Sequence, residues 1–516
     1  MTEGLNVQSD AVIPPTVPPD HVLVTIDGKQ LVVKKGTNLI EAAKLAGVEV
    51  PHYCYHPHLS IAGNCRMCQV HVAGRPKLEI ACNTTVADGM QVSTHKSSKD
   101  VADAQAAVLE FILVNHPLDC TVCDQAGHCK LQDYHFEYNA KPSRVTTEKE
   151  HKVKAEPLGP TVMLDGERCI MCTRCIRFCD EISETSELGM LNRGDHSVIS
   201  INPGKELNNP FSGTVVDLCP VGALTHKEWR FNTRVWFTKK SETICAGCST
   251  GCNVTVHTRD SEVVNVKARR NDSVNKEWLC DEGRYGMQKF LPKDRTSSCY
   301  IDGRTVDIED ALSKARQKIE QGKTLVVLSG DVLLEDLHEL SQFSSDKLNF
   351  KAVDDNIERT DLEKKLLQNN RCGNIEGIKF FKLYNSSVNF NDFSTVLCIG
   401  DRALEVAKEI TDTKNIISLQ IKEDLSPSVI FPIRSYLERS GLMLNFQSRL
   451  QYLSTAEVWP NYARSTWKII RSIFGNTKYE SLKSITDRER TLELLNSKVL
   501  GQELSIRDIK TQGIQL

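Results

Sequence analysis

Nineteen cysteines stand in this chain of 516 residues, and sixteen of them lie between Cys54 and Cys280. They form four groups. The first is Cys54-x10-Cys65-x2-Cys68-x13-Cys82. The second, with three cysteines, is Cys120-x2-Cys123-x5-Cys129, preceded by His116. The third is Cys169-x2-Cys172-x2-Cys175-x3-Cys179, with Cys219-Pro220 downstream, and the fourth is Cys245-x2-Cys248-x3-Cys252-x27-Cys280. In a small secreted chain such density means disulfides. In a long chain whose start has neither a secretory nor a transit form, tight Cys-x2-Cys spacing means metal, because thiolates two or three residues apart can face one centre.

Each group has a preferred occupant. The long first gap of Cys54, Cys65, Cys68 and Cys82 resembles the [2Fe–2S] loop of plant-type ferredoxins, though it is longer than theirs. Gly63 permits a tight loop whose backbone N–H groups point at sulfur. The bland alternative is a zinc site. The second group lacks a fourth thiol for a [4Fe–4S] cluster, so His116 is the candidate ligand with Cys120, Cys123 and Cys129. His58 and His128 are alternatives, and the bland reading makes His116 a water-facing residue at a helix end. The third run resembles the bacterial ferredoxin signature, in which the fourth cysteine serves a second cluster and a distant Cys-Pro closes the first. No second triad exists here, so Cys169, Cys172, Cys175 and Cys219 make one [4Fe–4S] set and Cys179 is left as a buried thiol. Cys245, Cys248, Cys252 and Cys280 suit a [4Fe–4S] cluster or a four-cysteine zinc site, and the company of three other clusters favours iron. Cys299, Cys372 and Cys398 remain as ordinary buried cysteines. Arg66, Arg174 and Arg177 lie beside ligands, where they either raise cluster potentials or form ordinary salt bridges.

The elements that hold these groups can be traced. Val22–Ile26 and Leu31–Val33 read as strands joined at Asp27-Gly28, a hairpin signal. Asn38 and Glu41 form a capping box for a short helix ending at Gly47. Hairpin, helix and cysteine loop in this order predict a β-grasp ferredoxin domain. Residues 98–115 predict an amphipathic helix with Val101, Ala104, Val108, Phe111 and Ile112 on one face, ended at His116-Pro117. Polar sequence over 139–160 links to the third group. Beyond residue 300, the apolar runs Leu325–Leu328, Val396–Ile399 and Ile416–Ile421 alternate with helical stretches such as Ala403–Ile410, which predicts α/β units on a parallel sheet.

Composition sets outer bounds. Apolar residues at 40% and charged residues at 25% are ordinary for a globular protein. A net charge of −3 argues against nucleic acid as a partner. No apolar run reaches about 18 residues, so no membrane-spanning helix is expected. There is no G-x-G-x-x-G and no phosphate-binding G-x-x-x-x-G-K-[ST] loop, so a nicotinamide or ATP site is unsupported.

The segments HYCYHPHLSIAGNCRMC, HPLDCTVCDQAGHCKLQD, CIMCTRCIRFCDE and VVDLCPVGAL resemble the large iron–sulfur subunit of NADH–quinone oxidoreductase, respiratory complex I. This family comprises the bacterial G subunits and the mitochondrial 75 kDa subunits. The same three-cluster module occurs in NAD-linked and iron-only hydrogenases. The fourth group resembles the cluster domain of molybdopterin oxidoreductases such as formate dehydrogenase. In the tail, IFPIRSYLERSGLMLNFQSRLQ looks like a worn molybdopterin-family segment, matching at Gly441, Asn445, Arg449 and Gln451.

The resemblance implies an α+β multidomain chain. Residues 1–20 form a flexible arm, 21–97 a [2Fe–2S] ferredoxin-type domain, and 98–140 a [4Fe–4S] domain with one histidine and three cysteines. A ferredoxin-like [4Fe–4S] domain follows over 141–235, then a molybdopterin-oxidoreductase-type [4Fe–4S] domain over 236–300 and a shortened, catalytically dead α/β domain over 301–516. It implies one [2Fe–2S] and three [4Fe–4S] clusters, no molybdopterin and no FMN, and no catalytic residue. The chain would be a subunit of the proton-translocating enzyme that carries electrons without itself binding NADH or quinone. Its partners would be the NADH/FMN-binding subunit and downstream iron–sulfur subunits, with membrane association only through the complex, at the cytoplasmic face of a bacterial inner membrane. Two rivals stand beside this: an electron-transfer subunit of an NAD-linked hydrogenase or formate dehydrogenase, and a zinc-stapled interaction scaffold.

Overall fold

The computed structural model describes residues 17–516 apart from 140, 344, 355, 386–387, 390–391, 413–414, 458–459, 498 and 502–503. Most of the arm expected over 1–20 lies outside the described residues. The chain divides into two compact units. One comprises residues up to 159 with 163–207 and 218–225. The other comprises 160–162, 208–217 and 226–516.

The first unit opens with β1 (His21–Ile26) and β2 (Lys29–Lys34), paired antiparallel with Ile26 opposite Lys29. The link is Asp27-Gly28, both at positive φ (47° and 80°), the twist a two-residue hairpin needs. Asp27 stays there because its carboxylate accepts from the Thr94 amide and hydroxyl, at 2.8 and 2.6 Å. α1 (Leu39–Leu45) starts at Asn38, whose side chain accepts from the Glu41 amide at 3.0 Å. The Asn38 amide also donates to the Tyr55 hydroxyl at 2.8 Å, which ties the helix start to the loop carrying Cys54. β3 (Gln69–Val72), β4 (Glu79–Ile80) and β5 (Met90–Ser93) complete a mixed sheet of order β2-β1-β5-β3-β4, with β1 and β5 parallel. Val22, Val24 and Ile26 alternate into one core with Leu39, Ile40, Ala42 and Ala43 of α1.

α2 (Lys99–Leu113) forms as expected, with its buried face partly turned. Val101, Gln105 and Leu109 are buried at i, i+4 and i+8, while Phe111 is 79% exposed. Of the expected face Val101 is buried and Ala104, Val108 and Ile112 are half-buried, so the correction is Phe111. The Gln105 amide donates to the Gln69 carbonyl at 3.0 Å, so a polar residue belongs in the buried stripe. Turning Phe111 inward would bring about 1.5–3 kcal/mol. Stranding the Gln105 amide and exposing Leu109 would cost at least as much. α3 (Lys130–Tyr138) packs on α2 and buries Leu131 and Tyr134. α4 (Arg174–Glu181) carries Cys175 and Cys179. An antiparallel hairpin, Leu188–Leu191 with Val198–Ile201, follows it.

In the second unit β6 (Lys239–Ile244), β7 (Asn253–Arg259) and β8 (Glu262–Ala268) form an antiparallel meander. The tail is built on a seven-stranded sheet. Its strands are β9 (Cys299–Ile301), β10 (Arg304–Val306), β11 (Thr324–Leu328), β12 (Leu348–Ala352), β13 (Thr395–Ile399), β14 (Ile416–Gln420) and β15 (Val429–Pro432), in the order β10-β9-β15-β14-β13-β11-β12. β11 to β15 are parallel, as the alternation predicts. Their apolar runs are continuous because both faces are covered. Val326, Leu397 and Ile417 enter one core, and Val327, Val396 and Ile416 the other. α5 (Ile308–Glu320), α6 (Leu334–Gln342) and α7 (Asp401–Lys408) flank the sheet. The hairpin β16 (Gly441–Leu444) and β17 (Arg449–Leu453) and the helices α8 (Thr466–Phe474) and α9 (Asp487–Asn496) complete the described core of the tail. No helix of the described residues is long and apolar enough to cross a membrane.

Candidate metal centres

The first centre is held between α1 and β3 and closed from the turn after β4. Cys54, Cys68 and Cys82 are buried and Cys65 is half-buried. The thiols of Cys54 and Cys65 lie near enough to shift each other's protonation, and so do those of Cys68 and Cys82. The Cys65 thiol chiefly stabilises the Cys54 thiolate. The backbone amides of Cys65 and Asn64 and the charge of Arg177 add to this and hold Cys54 at about 5. Gly63, at φ 62°, curls the loop so that these amides face inward; a Cβ there would stand 3.3 Å from the Ile80 side chain.

The second centre follows α2, which ends at Leu113. Cys123 and Cys129 are buried, while Cys120 is exposed between the exposed Leu118 and Val122. His116 is half-buried, and burial, with the nearby Lys149 and Arg168, lowers its pKa to about 4. Its Nδ1 is buried without a hydrogen-bond partner. A neutral imidazole with an unpartnered ring nitrogen meets the chemical demand on a ligand. Arg168 acts on both His116 and the Cys123 thiol, so the two share one surrounding. His58 packs edge-on against His56, and the His128 amide closes the turn that begins at Gln125.

In the third centre Cys169, Cys172, Cys175 and Cys219 together line one cavity, with Leu164 and Ile199 among its apolar walls; its empty space, partly open to solvent, is about 380 Å³. Met171 and Thr173 sit at φ 52° and 61°, and this left-handed curl turns three cysteines inward without a glycine. Burial pushes Cys169 and Cys219 up to about 12 and raises Cys172 and Cys175 as well. Cys179 does not line this cavity; burial and then Glu187 push it up to about 12.

In the fourth centre Cys245 follows β6 directly and Cys252 precedes β7, their backbones joined at 2.8 Å. Cys280 begins the short helix Asp281–Tyr285. All four cysteines line a cavity of about 310 Å³, again partly open. The Gly247 amide donates to the Cys245 sulfur at 3.4 Å and the Gly283 amide to the Cys280 sulfur at 3.2 Å. A Cβ on Gly283 would stand 3.1 and 3.2 Å from the sulfurs of Cys245 and Cys280, so only glycine fits that wall comfortably.

These donor sets fit iron–sulfur clusters. Buried thiols held high or paired with one another cannot all ionise unless a cationic core supplies the compensating charge. A zinc site needs its ligands about 2.0–2.3 Å from one point. Among the described residues no group of three or more His, Cys, Asp or Glu side chains is placed to hold a single ion. The cysteines of the third and fourth centres surround a space instead, as a multi-iron core requires.

Contacts run between the centres of the first unit. The Arg177 guanidinium donates to the carbonyls of Cys54 (2.6 Å), Cys172 (3.3 Å) and Ser60. Arg174 donates to the carbonyls of Tyr55 and Leu218. Carbonyls thus take the place of the carboxylates a salt-bridging role calls for. Arg66 lies exposed at φ 57°. On the other side of the third centre, the Pro220 carbonyl lies 4.0 Å from the Cys129 sulfur. Gly222 packs on the second centre so closely that a Cβ would stand 2.2 Å from the Cys123 sulfur. The first centre therefore touches the third and the third touches the second.

Sequence reasoning missed two roles. Gly222 carries its signal only in following Cys219-Pro220. The worn tail segment reads in sequence as the remnant of a lost site, yet two of its matching residues grip the fourth centre. Asn445 donates to the Thr250 carbonyl at 3.2 Å, and Gln451 to the Gly251 carbonyl and the Asn253 side chain, both at 2.9 Å.

Four family models match along these centres: a 2Fe-2S iron-sulfur cluster binding domain over 20–97, the NADH-ubiquinone oxidoreductase-G iron-sulfur binding region over 105–144, the ferredoxin-like domain of NADH-quinone oxidoreductase subunit 3 over 159–225, and the molybdopterin oxidoreductase Fe4S4 domain over 238–290. The G subunit of NADH-quinone oxidoreductase from Streptomyces coelicolor is 36% identical over 351 residues, 67% of this chain and 41% of that protein. The mitochondrial NADH-ubiquinone oxidoreductase 78 kDa subunit of Candida albicans is 40% identical over 297 residues, 57% of this chain and 41% of that protein. Along these centres the chain is similar to the G subunits of NADH-quinone oxidoreductase and their mitochondrial 75 kDa counterparts. Its cofactors are iron–sulfur clusters. The corresponding 78 kDa subunit of Neurospora crassa is 44% identical over 268 residues, 52% of this chain and 36% of that protein. The chain spans about two fifths of the length of these relatives.

Proposed function

We propose that this chain is the iron–sulfur electron carrier of a proton-pumping NADH–quinone oxidoreductase. It would take electrons from the NADH/FMN-binding subunit and deliver them towards quinone through downstream iron–sulfur subunits. The proposed ligands are Cys54, Cys65, Cys68 and Cys82 for one [2Fe–2S] cluster. Those for three [4Fe–4S] clusters are His116 with Cys120, Cys123 and Cys129; Cys169, Cys172, Cys175 and Cys219; and Cys245, Cys248, Cys252 and Cys280. When bound, the clusters supply reversible one-electron redox chemistry. The residues then have no proton to move. They fix spacing, keep water from the buried sulfurs and aim amides at them.

The observation that carries the reading is the contact order of three centres in one unit. Arg177 joins the first centre to the third, and Pro220 and Gly222 join the third to the second. That order supports a path entering at Cys54–Cys82 and leaving at Cys120, where exposed Leu118 and Val122 offer a partner an apolar footing. The domain layout proposed is the six-part division given above, with 301–516 carrying no molybdopterin, at the cytoplasmic face of a bacterial inner membrane. Anaerobic analysis of the intact chain tests the reading: about 14 iron atoms per chain with matching acid-labile sulfide are expected from one [2Fe–2S] and three [4Fe–4S] clusters. Zinc in place of iron would overturn it in favour of an interaction scaffold.

A further inference from the structure

We propose that Arg177 is a shared tuning and positioning residue that couples the first and third centres. The inference rests on the ligand sets proposed above. One nitrogen of its guanidinium, Nη2, donates to the carbonyl of Cys54, a ligand of the first centre, at 2.6 Å. The same nitrogen donates to the carbonyl of Cys172, a ligand of the third, at 3.3 Å. Nη1 holds the Ser60 carbonyl in the first loop, and Nε reaches the Thr173 hydroxyl in the third at 3.3 Å. A planar fork with donors fixed in direction reaches all of these acceptors at once, whereas a lysine there would keep the charge and lose part of the clamp. Two further bonds clamp the same pair of loops: Asn64 donates to the Met171 carbonyl at 3.1 Å, and the Ser60 amide to the Glu181 carboxylate at 2.8 Å.

The charge matters as much as the clamp. Among the described residues the hydrogen bonds of Arg177 go to carbonyls and a hydroxyl, and the Glu181 carboxylate one turn along the helix is bonded to Ser60 and not to Arg177. A cation beside two centres that each accept one electron stabilises the reduced state of both and raises both potentials. When an electron passes between them, one centre is oxidised by one electron and the other reduced by one, and no atom or proton moves. Arg177 stays fixed and shares its field with whichever centre holds the charge.

The test uses the full chain, reconstituted anaerobically, with Arg177→Gln and Arg177→Lys. Iron and sulfide are measured first, and wild-type chain lacking the expected clusters overturns the ligand reading itself, separately from this proposal. Redox titration followed by electron paramagnetic resonance then reads each midpoint potential. Arg177→Gln is expected to shift the [2Fe–2S] and third-centre potentials downward together and leave the fourth centre in place, with Arg177→Lys recovering at least half of each shift. Unmoved potentials at full iron content, movement of only one of the two, or a lysine variant shifted as far as the glutamine variant each overturn the proposal. Should Arg177→Gln fail to hold its clusters, selective loss of about six irons, two plus four, supports the coupling. Loss at one centre alone, or at all four, overturns it.

Discussion

Single residues decide whether these centres can form. Gly222 is the sharpest case, because a Cβ would stand 2.2 Å from the Cys123 sulfur and 3.1 Å from the Gln125 side chain. The sulfur cannot give way without leaving its centre. Gly222→Ala is therefore expected to lower iron from about 14 to about 10 per chain, with the second centre's signal lost. Gly286→Ala, where a Cβ meets nothing within 4 Å, serves as the control and should keep full iron content. At this scale the sequence was most legible where residue type and spacing carry the chemistry. Cysteines at Cys-x2-Cys spacing name themselves, and the four of the third centre do line one cavity. Gly222 was not legible, since what demands glycine there is a sulfur almost a hundred residues earlier. The left-handed Met171 and Thr173 were equally hidden, because side chains that tolerate such backbone only under tertiary constraint give no local sign.

Elements were legible in type and less so in orientation. The Asp27-Gly28 hairpin, the Asn38 cap and the apolar runs of β11, β13 and β14 follow from short-range rules. The face of α2 does not, since it is set by the Gln69 carbonyl that Gln105 must meet. The packing of α6 against β16 and α9 hides a further consequence. Glu335 on α6 is buried, accepts from the Leu442 amide at 3.1 Å and the Thr491 hydroxyl at 2.6 Å, and burial raises its pKa to about 7. An acid whose folded pKa lies above its unfolded value of 4.5 stabilises most below that value, and the contribution is lost as pH rises through 7. Glu335→Gln is expected to remove this loss, on the order of a few kcal/mol across pH 5 to 8. Urea midpoints by circular dichroism at both pH values check it: the variant should be the more stable at pH 8, and an unchanged difference between the two pH values would contradict the assignment.

At the scale of the whole molecule the four centres are divided, three in one compact unit and the fourth in the other. The fourth loop is bonded into the α/β tail at many points. Ser249 donates to the Asn370 carbonyl, Thr250 to Leu366, and Phe446 to Ser249, besides the grip of Asn445 and Gln451. This supports the fourth centre as a staple that couples metal binding to folding of the tail. Cys248→Ser is expected to reduce the yield of folded chain while any surviving assembled enzyme keeps its NADH–quinone activity. Abolished activity in a fully assembled complex would falsify the staple reading and put this centre on the path. The fourth centre's metal character was plain from spacing, but its service to the tail was not. That depends on Asn445 and Gln451, nearly two hundred residues away and legible only as a worn motif.

The contact of Gly222 and Pro220 with Cys123 and Cys129 also has a meaning in time. A ribosome releases Cys120, Cys123 and Cys129 long before residue 222 is made. The β-sheet and cysteines of the first centre can close as soon as residue 97 has emerged, since sequential emergence favours N-terminal units. The second centre, although next in the chain, must wait for the wall supplied after the third. During synthesis the centres are thus completed in the order first, then third and second together. A nascent chain stalled near residue 140 would carry all four of the second centre's proposed ligands in a half-built site.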